Sequence, residues 1–326
     1  MADEKVVIGI DGGGTHTRVM VCDQTGKVLA YVSRGAASLY KDEAAADNVR
    51  GAIRSALEQA DKSPGEIAGV AAGIAGLDAE EDLIWVRPLT EVPGLNCPQW
   101  HVNDAIVAHY GAFLAQPGII VISGTGSIVL AIAEDGRPVR NYDFRHYAAS
   151  AARFLAYDAV YETLAGRTDE TDESLIAAML AHWDVSAVSE LYAFARDGFE
   201  DDRRSRDLRF GRFAPSVTAA AERGSSVARR VCDRAVDQIV VAIELLSPIF
   251  AADAVQVSLT GSVATSRYVS RALDERLREC RRKRFAVVPP QFSPAAGAVL
   301  LAMTRLGLPI DEAVAARMQE IRPSTC

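Results

Sequence analysis

Cysteine is scarce in this sequence, and the cysteines that are present are not spaced to form a metal site. No two of the five share a Cys-x-x-Cys motif, which argues against a zinc site, an iron–sulfur cluster and a disulfide framework. Scattered thiols favour a reducing cytoplasm, where each is an ordinary packing residue. The five are Cys22, Cys97, Cys232, Cys280 and Cys326.

Long apolar runs and an excess of positive charge are also missing. No apolar run approaches the roughly 18 residues of a membrane span, and the first residues, Met-Ala-Asp-Glu-Lys, lack a signal-peptide pattern. The net charge of −8 gives no general attraction to nucleic acid or to an anionic membrane. What is present is an ordinary balance, with 49% hydrophobic and 24% charged residues among 326. This balance predicts a soluble globular protein of two domains.

The most informative stretch lies near the start, where two apolar runs flank Asp11-Gly12-Gly13-Gly14-Thr15-His16-Thr17. The runs are rich in β-branched residues, so they predict two buried strands joined by a tight hairpin. Glycine amides can cradle a phosphate, threonine hydroxyls add donors, and Asp11 stands where magnesium or its waters would be held. An ordinary glycine-rich hairpin is the alternative. The Walker pattern is excluded, because no Gly-Lys-Ser/Thr follows and the next element is a strand.

The same pattern returns in the middle of the chain. Residues 118–132 again read as strand, turn and strand, with Ser123-Gly124-Thr125-Gly126-Ser127 as the turn. The repetition predicts two domains of one topology that face each other, each giving a phosphate-binding hairpin to a shared cleft. A third turn, Thr260-Gly261-Ser262, follows a predicted strand and precedes a predicted helix.

The remaining pattern predicts an α/β protein with a helical insertion. The first hundred residues read β-β-β-α-β-α-β-α, and the apolar run at 67–74 predicts a central parallel strand. An arginine-rich stretch at 197–212 reads as a loop or exposed helix, and a long helix is expected to begin at Pro215 and end near Pro248. Other helices are predicted at 41–60, 80–89, 105–114, 148–164, 172–183, 185–195, 267–279 and 294–306.

Six segments carry a resemblance to a known family: IGIDGGGTHTR (8–18), GIAGL (73–77), ND (103–104), GIIVISGTGS (118–127), LTGS (259–262) and PAAGAVLLA (294–302). They resemble the actin / sugar kinase / heat-shock ATPase superfamily, and within it the N-acetylglucosamine kinase branch, which also contains the ATPase activators of 2-hydroxyacyl-CoA dehydratases. The resemblance implies two actin-like (ribonuclease H-like) domains with an ATP cleft between them. The first domain would be residues 1–115, and the second would be residues 116–326 with a helical insertion at about 148–250. It also implies that a C-terminal helix at about 294–320 can pack back on the first domain.

The resemblance further implies that the glycine turns bind ATP with Mg²⁺, and that Asp11 is the metal residue. Asp104 matches the acid that acts as general base on the acceptor hydroxyl. An acid at the carboxyl end of a strand suits that role, and the alternative is that it caps the following helix. The residues that match the ATP-binding motifs are Gly12, Gly13, Gly14, Thr15, Thr17, Gly124, Thr125, Gly126, Ser127, Gly261 and Ser262.

The acceptor side departs from the family pattern. Amino-sugar kinases usually carry a Gly-Asp-Glu-Gly-Ser loop after the second hairpin, whereas residues 141–150 read NYDFRHYAAS, with alanines where the loop acids are expected. An asparagine that often holds the sugar is also absent, with Ser38 nearby. We therefore predict acceptor contacts from Ser38, Asn103 and Asp104, with Asp143 as a replacement acid in the altered loop. The alternative for Asp143, and for its neighbours Arg145 and His146, is an ordinary exposed loop residue.

The function that the resemblance implies is an ATP-dependent kinase that phosphorylates an amino sugar, such as N-acetylglucosamine or glucosamine, as a cytoplasmic homodimer. An inactive or sugar- or nucleotide-sensing homologue is the alternative that the altered loop keeps open. A dehydratase activator is less favoured, because Ser123 stands where those proteins commonly have a cysteine for an iron–sulfur cluster. The acceptor, the oligomeric state and the pathway are not determined by the sequence.

Overall fold

Two compact units make up the computed structural model, which describes residues 5–39 and 42–319. One unit consists of Met1–Gln116 and Pro289–Cys326, and the other is Pro117–Val288. Each contains a five-stranded sheet with helices packed against it, which confirms the predicted α/β class. No helix within the described ranges is long and apolar enough to cross a membrane.

The first sheet contains the hairpin predicted at the start of the chain. Its strands are β1 (Val6–Gly12), β2 (Thr17–Asp23), β3 (Val28–Arg34), β4 (Ile67–Ile74) and β5 (Gln99–Asn103). Strands β1, β2 and β3 form an antiparallel meander, and β4 and β5 continue the sheet in parallel from β1, in the order β3-β2-β1-β4-β5. Every residue of β1 is buried, as expected for a central strand that is covered on both faces.

Helices α1 (Ala45–Gln59) and α2 (Leu83–Val86) lie between these strands, and α3 (Asp104–Phe113) follows β5 directly. Val49, Ile53 and Leu57 lie four residues apart along α1 and are all buried, as expected for one apolar face of a helix. A helix was predicted at 41–60, and its first position, residue 41, lies outside the described residues. The single helix predicted at 80–89 is wrong. Two 3₁₀ turns flank the one-turn α2, and Pro88 lacks the N–H that a continuing helix would need.

The second sheet repeats the topology of the first. Its strands are β6 (Gly118–Ser123), β7 (Ser127–Ile132), β8 (Pro138–Arg140), β9 (Ala254–Thr260) and β10 (Arg284–Val288). The order β8-β7-β6-β9-β10 matches β3-β2-β1-β4-β5, with the same antiparallel meander and the same two parallel strands beside it. The internal repetition read from the two glycine turns therefore extends to whole sheets.

Six helices complete the second unit: α4 (Ala152–Leu164), α5 (Glu173–Trp183), α6 (Val188–Arg196), α7 (Arg203–Arg223), α8 (Ser226–Leu246) and α9 (Arg267–Glu279). The predicted start of a helix at Pro215 is wrong, because Pro215 lies inside α7. Asp202 starts α7 by accepting a hydrogen bond from the Ser205 amide, so most of the arginine-rich stretch is helical. Gly224, with φ of +104°, ends α7, and the Ser225 side chain caps α8.

The chain returns to the first unit after β10, and we call the described residues 289–319 the returning segment. This segment contains α10 (Pro294–Arg305) and α11 (Glu312–Gln319). Helix α10 packs against β1 and α3 in the first unit. The approach is close, since a Cβ at Gly297 would lie 1.9 Å from the Val107 carbonyl oxygen. Residues 289–319 thus belong with the first unit, although the chain reaches them only after the second.

Candidate functional site

The carboxyl ends of three neighbouring parallel strands bring most of the predicted residues of the first unit together. Strand pairing sets Gly12 of β1 beside Ile74 of β4, and Ile74 beside Asn103 of β5. The amide of Ala75 also donates a hydrogen bond to the Gly12 carbonyl, with an N–O distance of 2.8 Å. Asp11, the glycine turn, Asn103 and Asp104 therefore lie at one edge of the sheet. This edge is where parallel α/β sheets usually bind ligands.

Asp104 is the first residue of α3 and is partly accessible to solvent. Burial by the surrounding protein raises the pKa of its carboxyl group to about 7, with further contributions from the negative charges of Asp11 and Asp78. The backbone amides of Ala105 and Asp104 itself oppose this shift. A carboxyl that titrates near neutral pH can exchange a proton with a bound hydroxyl group, which is the property a general base needs.

Asn103 performs the helix-capping role that was the alternative for Asp104. Its side-chain oxygen accepts a hydrogen bond from the Ala105 amide, 2.9 Å away, at the start of α3. Its Nδ2 donates to the Leu77 carbonyl at 3.2 Å and to Asp78 Oδ1 at 3.1 Å. Asn103 thus connects the ends of β4 and β5. Asp78 is a site residue that the motifs did not single out, although it follows directly on the GIAGL segment.

Asp11 is buried at the end of β1 and forms an ion pair with Arg18 on β2, with an Nη1–Oδ2 distance of 3.1 Å. Burial raises the pKa of Asp11, and the charge and hydrogen bond of Arg18 oppose the rise. Arg18 is the second site residue missed from the sequence. It lies directly opposite Asp11 in the antiparallel register. The number of residues in the predicted hairpin could therefore have indicated this pair.

The first glycine turn is partly closed by its own hydrogen bonds. The Gly13 amide donates to the His16 carbonyl at 2.9 Å, while Thr15 is exposed at the tip. The segment that contains Ser38 packs beside the turn, since the Ala37 amide donates to the Gly13 carbonyl at 3.1 Å. Thr17 is fully buried in β2, and within the described residues its hydroxyl has no hydrogen-bond partner.

In the second unit, the second hairpin and the third turn are in direct contact. The Ser123 carbonyl accepts hydrogen bonds from the amides of Val263 and Ala264, at 2.9 and 3.1 Å. Gly261 has φ of +88°, and a Cβ on it would lie 2.4 Å from the Ser123 carbonyl oxygen. Only glycine fits this position, because the conformation and the close approach both exclude a side chain. Gly124, Thr125, Gly126 and Ser127 thus lie in one surface region with Gly261 and Ser262.

The altered loop at 141–150 is bonded to that hairpin. Ser127 Oγ donates to the Ala148 carbonyl at 3.0 Å, Ser123 Oγ donates to the Ser150 carbonyl at 2.6 Å, and the Tyr142 hydroxyl donates to the Ser127 carbonyl. The Asp143 carboxylate is exposed and accepts from the Arg140 amide at 2.8 Å and from the Arg140 guanidinium at 3.0 Å. Asp143 is therefore engaged within its own turn, as the exposed-loop alternative describes.

These features define a protein of the actin-like fold class, built from two units of one topology that each present a glycine-rich hairpin at the end of a central strand. The model of the BadF/BadG/BcrA/BcrD ATPase family matches residues 8–302. The chain belongs to this family.

Curated relatives and a solved structure add to this assignment. The chain is 33% identical over 144 residues to an N-acetylmuramic acid/N-acetylglucosamine kinase from Clostridium acetobutylicum, a match that covers 44% of this chain and 47% of that protein. It is 34% identical over 127 residues to a glucosamine kinase from Vibrio cholerae, covering 37% and 41%. The matches thus span about half the length of these relatives. A proposed N-acetylglucosamine kinase from Chromobacterium violaceum superposes with a TM-score of 0.72 at 25% identity, over 92% of this chain and 99% of that one.

Proposed function

We propose that this protein is an ATP-dependent kinase that transfers the terminal phosphate of ATP to a hydroxyl group of an amino sugar. The observation that carries the proposal is the position of Asp104, whose carboxyl has a pKa of about 7 and lies at the strand ends beside the first glycine turn. Membership in an ATPase family supports ATP as the phosphate donor. Relatives that are kinases of N-acetylglucosamine or glucosamine support an amino sugar as the acceptor.

In the proposed reaction, a carboxylate oxygen of Asp104 accepts the proton of the acceptor hydroxyl as the hydroxyl oxygen attacks the terminal phosphorus. The bond from that phosphorus to the bridging oxygen breaks, and ADP leaves. Asn103 holds the start of α3, so it fixes the position of Asp104, and Ser38 lies beside the glycine turn, where it can face the acceptor. The turns at 12–17 and 124–127 supply backbone amides and hydroxyl groups to the phosphates. Gly261 and Ser262 contact the adenosine.

The residues also fit a magnesium ion at Asp11. The negative charge of Asp11 raises the pKa of Asp104, and a nearby cation would relieve this repulsion. Within residues 5–39 and 42–319, no group of three or more His, Cys, Asp or Glu side chains is placed to hold a metal. We propose that magnesium takes its other ligands from phosphate oxygens and water, as Mg²⁺ commonly does. When bound, it would neutralise charge on the phosphates.

Two further parts of the proposal concern the setting of the protein. The thiols of Cys22, Cys97, Cys232 and Cys280 are free in the structure, which supports a reducing compartment such as the cytoplasm. The homodimer is an expectation from the family resemblance, and sedimentation of the purified chain tests it.

A nucleotide-binding sensor without kinase activity is the second candidate. The observation that favours it is the engagement of Asp143 with Arg140, because the altered loop then offers a sugar no free carboxylate from Asp143. The two candidates differ in one measurable property. A sensor binds ATP without acceptor-dependent turnover.

The test is ADP formation from Mg-ATP in the presence of N-acetylglucosamine, glucosamine, N-acetylmuramic acid, glucose and a polyol. We expect an amino sugar to raise ADP formation well above the rate without acceptor, and Asp104→Asn to abolish the increase. Asp135→Asn is the matched control, because it removes an exposed carboxylate on a hairpin of the second unit whose ion-pair partner among the described residues is nearby Arg137. ATP binding without stimulation by any acceptor would favour the sensor.

A further inference from the structure

Arg153 lies at the tip of the second hairpin, although no motif points to it. It is the second residue of α4, and the first, Ala152, donates its amide hydrogen to the Gly124 carbonyl at 2.7 Å. The Nη1 of Arg153 donates to the Thr125 carbonyl oxygen at 3.3 Å. Thr125 and Gly126 are the exposed residues of this turn. A guanidinium group is thus fixed beside the backbone that the proposed function assigns to phosphate.

Two further contacts hold the Arg153 side chain in place. Its Nε lies 3.7 Å from Asp207 Oδ2, and its guanidinium carbon lies 4.3 Å from the centre of the Phe154 ring. The side chain is 29% exposed, so part of it faces solvent. A guanidinium has five N–H donors, and within the described residues no hydrogen bond uses its Nη2. The group is therefore pre-positioned and retains donors for a ligand.

The charge of Arg153 is only partly balanced. Asp207 is shared with a second guanidinium, because Arg203 Nε lies 4.0 Å from the same carboxylate oxygen. The Tyr157 hydroxyl also donates to Asp207, at 3.0 Å. One carboxylate that serves two arginines leaves excess positive charge beside Thr125 and Gly126. Such excess charge favours an anion at the tip of the hairpin.

We infer that Arg153 is a phosphate-binding residue that contacts the terminal phosphate of ATP and stabilises the charge on it during transfer. The inference rests on the proposed function and adds a side-chain cation to the backbone donors of the hairpin. The negative charge of the triphosphate is greatest on its terminal group, so a guanidinium at that point distinguishes ATP from ADP. Fixed cations directed at a transferring phosphate group are a common source of catalysis in phosphoryl transfer.

The test compares the dissociation constants of ADP and of a non-hydrolysable ATP analogue, measured by calorimetry in the absence of any sugar. We expect Arg153→Ala to weaken binding of the ATP analogue by about 10-fold or more, as expected for the loss of a charged hydrogen bond, and to change ADP binding much less. Arg203→Ala is the matched control, because it removes the other guanidinium from Asp207 without touching the hairpin. It is expected to leave both constants nearly unchanged.

Several outcomes would overturn the inference. Equal weakening of both nucleotides by Arg153→Ala, together with a lower melting temperature, would show that Arg153 only supports the turn. Unchanged nucleotide binding with a raised acceptor KM would place it at the acceptor instead. A wild-type protein that binds neither nucleotide would refute the proposed function as well, so the two failures are distinguishable.

Discussion

The charge of one carboxyl group controls the proposed reaction. Asp104 must be ionised to accept a proton, yet its burial and the negative charges of Asp11 and Asp78 favour the protonated form. The result is a pKa of about 7 rather than the ordinary 3.8. A base with this pKa is strong enough to assist proton transfer and is still largely ionised just above neutral pH.

The pH dependence of turnover follows directly. Because the proton on Asp104 is lost only as the pH rises through about 7, kcat/KM for the acceptor is expected to fall about tenfold per pH unit below that value. Asp104→Asn is expected to lower kcat by about 10²-fold or more and to remove this acidic limb. Initial rates of ADP formation, measured in buffers from about pH 5 to about pH 9, test both effects.

Thermal unfolding provides the control for this variant. The pKa of Asp104 is higher in the folded protein than its ordinary value of 3.8, so ionisation of the carboxyl costs stability as the pH rises from 3.8 through about 7. Asp104→Asn avoids this cost. The variant is therefore expected to be at least as stable as the wild type in alkaline buffer. A variant that is inactive because it is unfolded would contradict this account.

Candidate site residues could be proposed from the sequence where a short motif carries them. The glycine turns, Asn103 and Asp104 were proposed in this way, from the order and content of such segments. Asp78, Arg18 and Arg153 were not, because short motifs do not show their contacts. Asp78 and Arg18 are placed by contacts between strands or strand ends, and Arg153 by the position of α4 next to the second hairpin. Asp143 was proposed as an acceptor contact, but the sequence could not show that its carboxylate accepts hydrogen bonds from Arg140.

At the scale of elements, close packing of α10 fixes the returning segment on the first unit. A Cβ at Gly297 would lie 1.9 Å from the Val107 carbonyl oxygen and 2.4 Å from the Gly111 nitrogen, both in α3. At Gly9 of β1, a Cβ would lie 2.4 Å from the Val299 nitrogen of α10. Backbone atoms cannot move aside as a flexible side chain can, so these glycines permit the approach of α10 to α3 and β1.

Gly297→Ala is therefore expected to destabilise the protein by about 1–3 kcal/mol or more, because α10 must shift away from α3 to admit the methyl group. Gly211→Ala is the matched control. Gly211 also lies inside a helix, but a Cβ on it would meet nothing within 4 Å. This control is expected to stabilise by about 0.5–1 kcal/mol. Urea unfolding of both variants measures the difference, and equal effects would refute the packing argument.

The element-scale predictions from sequence were best where periodicity and glycine spacing were strong. Strands β1 to β3, β6 and β7 and helices α1 and α10 were recognisable from their apolar patterns, whereas the short strand β8 was not predicted. The boundary between α7 and α8 was missed, because Pro215 was taken as a helix start while the true break lies at Gly224 and Ser225. A proline is often found in the first turn of a helix, but here the Asp202 cap starts α7 before Pro215 is reached.

At the scale of the whole molecule, one topology occurs twice. Both sheets have a central strand, an antiparallel meander on one side and two parallel strands on the other. The units differ mainly in the helices that precede the first parallel strand of the sheet: α1 alone comes before β4 in the first unit, and α4 to α8 come before β9 in the second. The sequence predicted this repetition from two glycine-rich turns, because each turn lies between two apolar runs that are rich in β-branched residues.

The central claim, transfer of phosphate from ATP to an amino sugar, is tested most directly by following the terminal phosphate itself. ATP labelled in that group is incubated with the protein, Mg²⁺ and N-acetylglucosamine or glucosamine, and the products are separated. We predict that the label appears in a sugar phosphate ester with the wild type and not with Asp104→Asn. Label found only in inorganic phosphate, or retained in ATP with every amino sugar, would contradict the account.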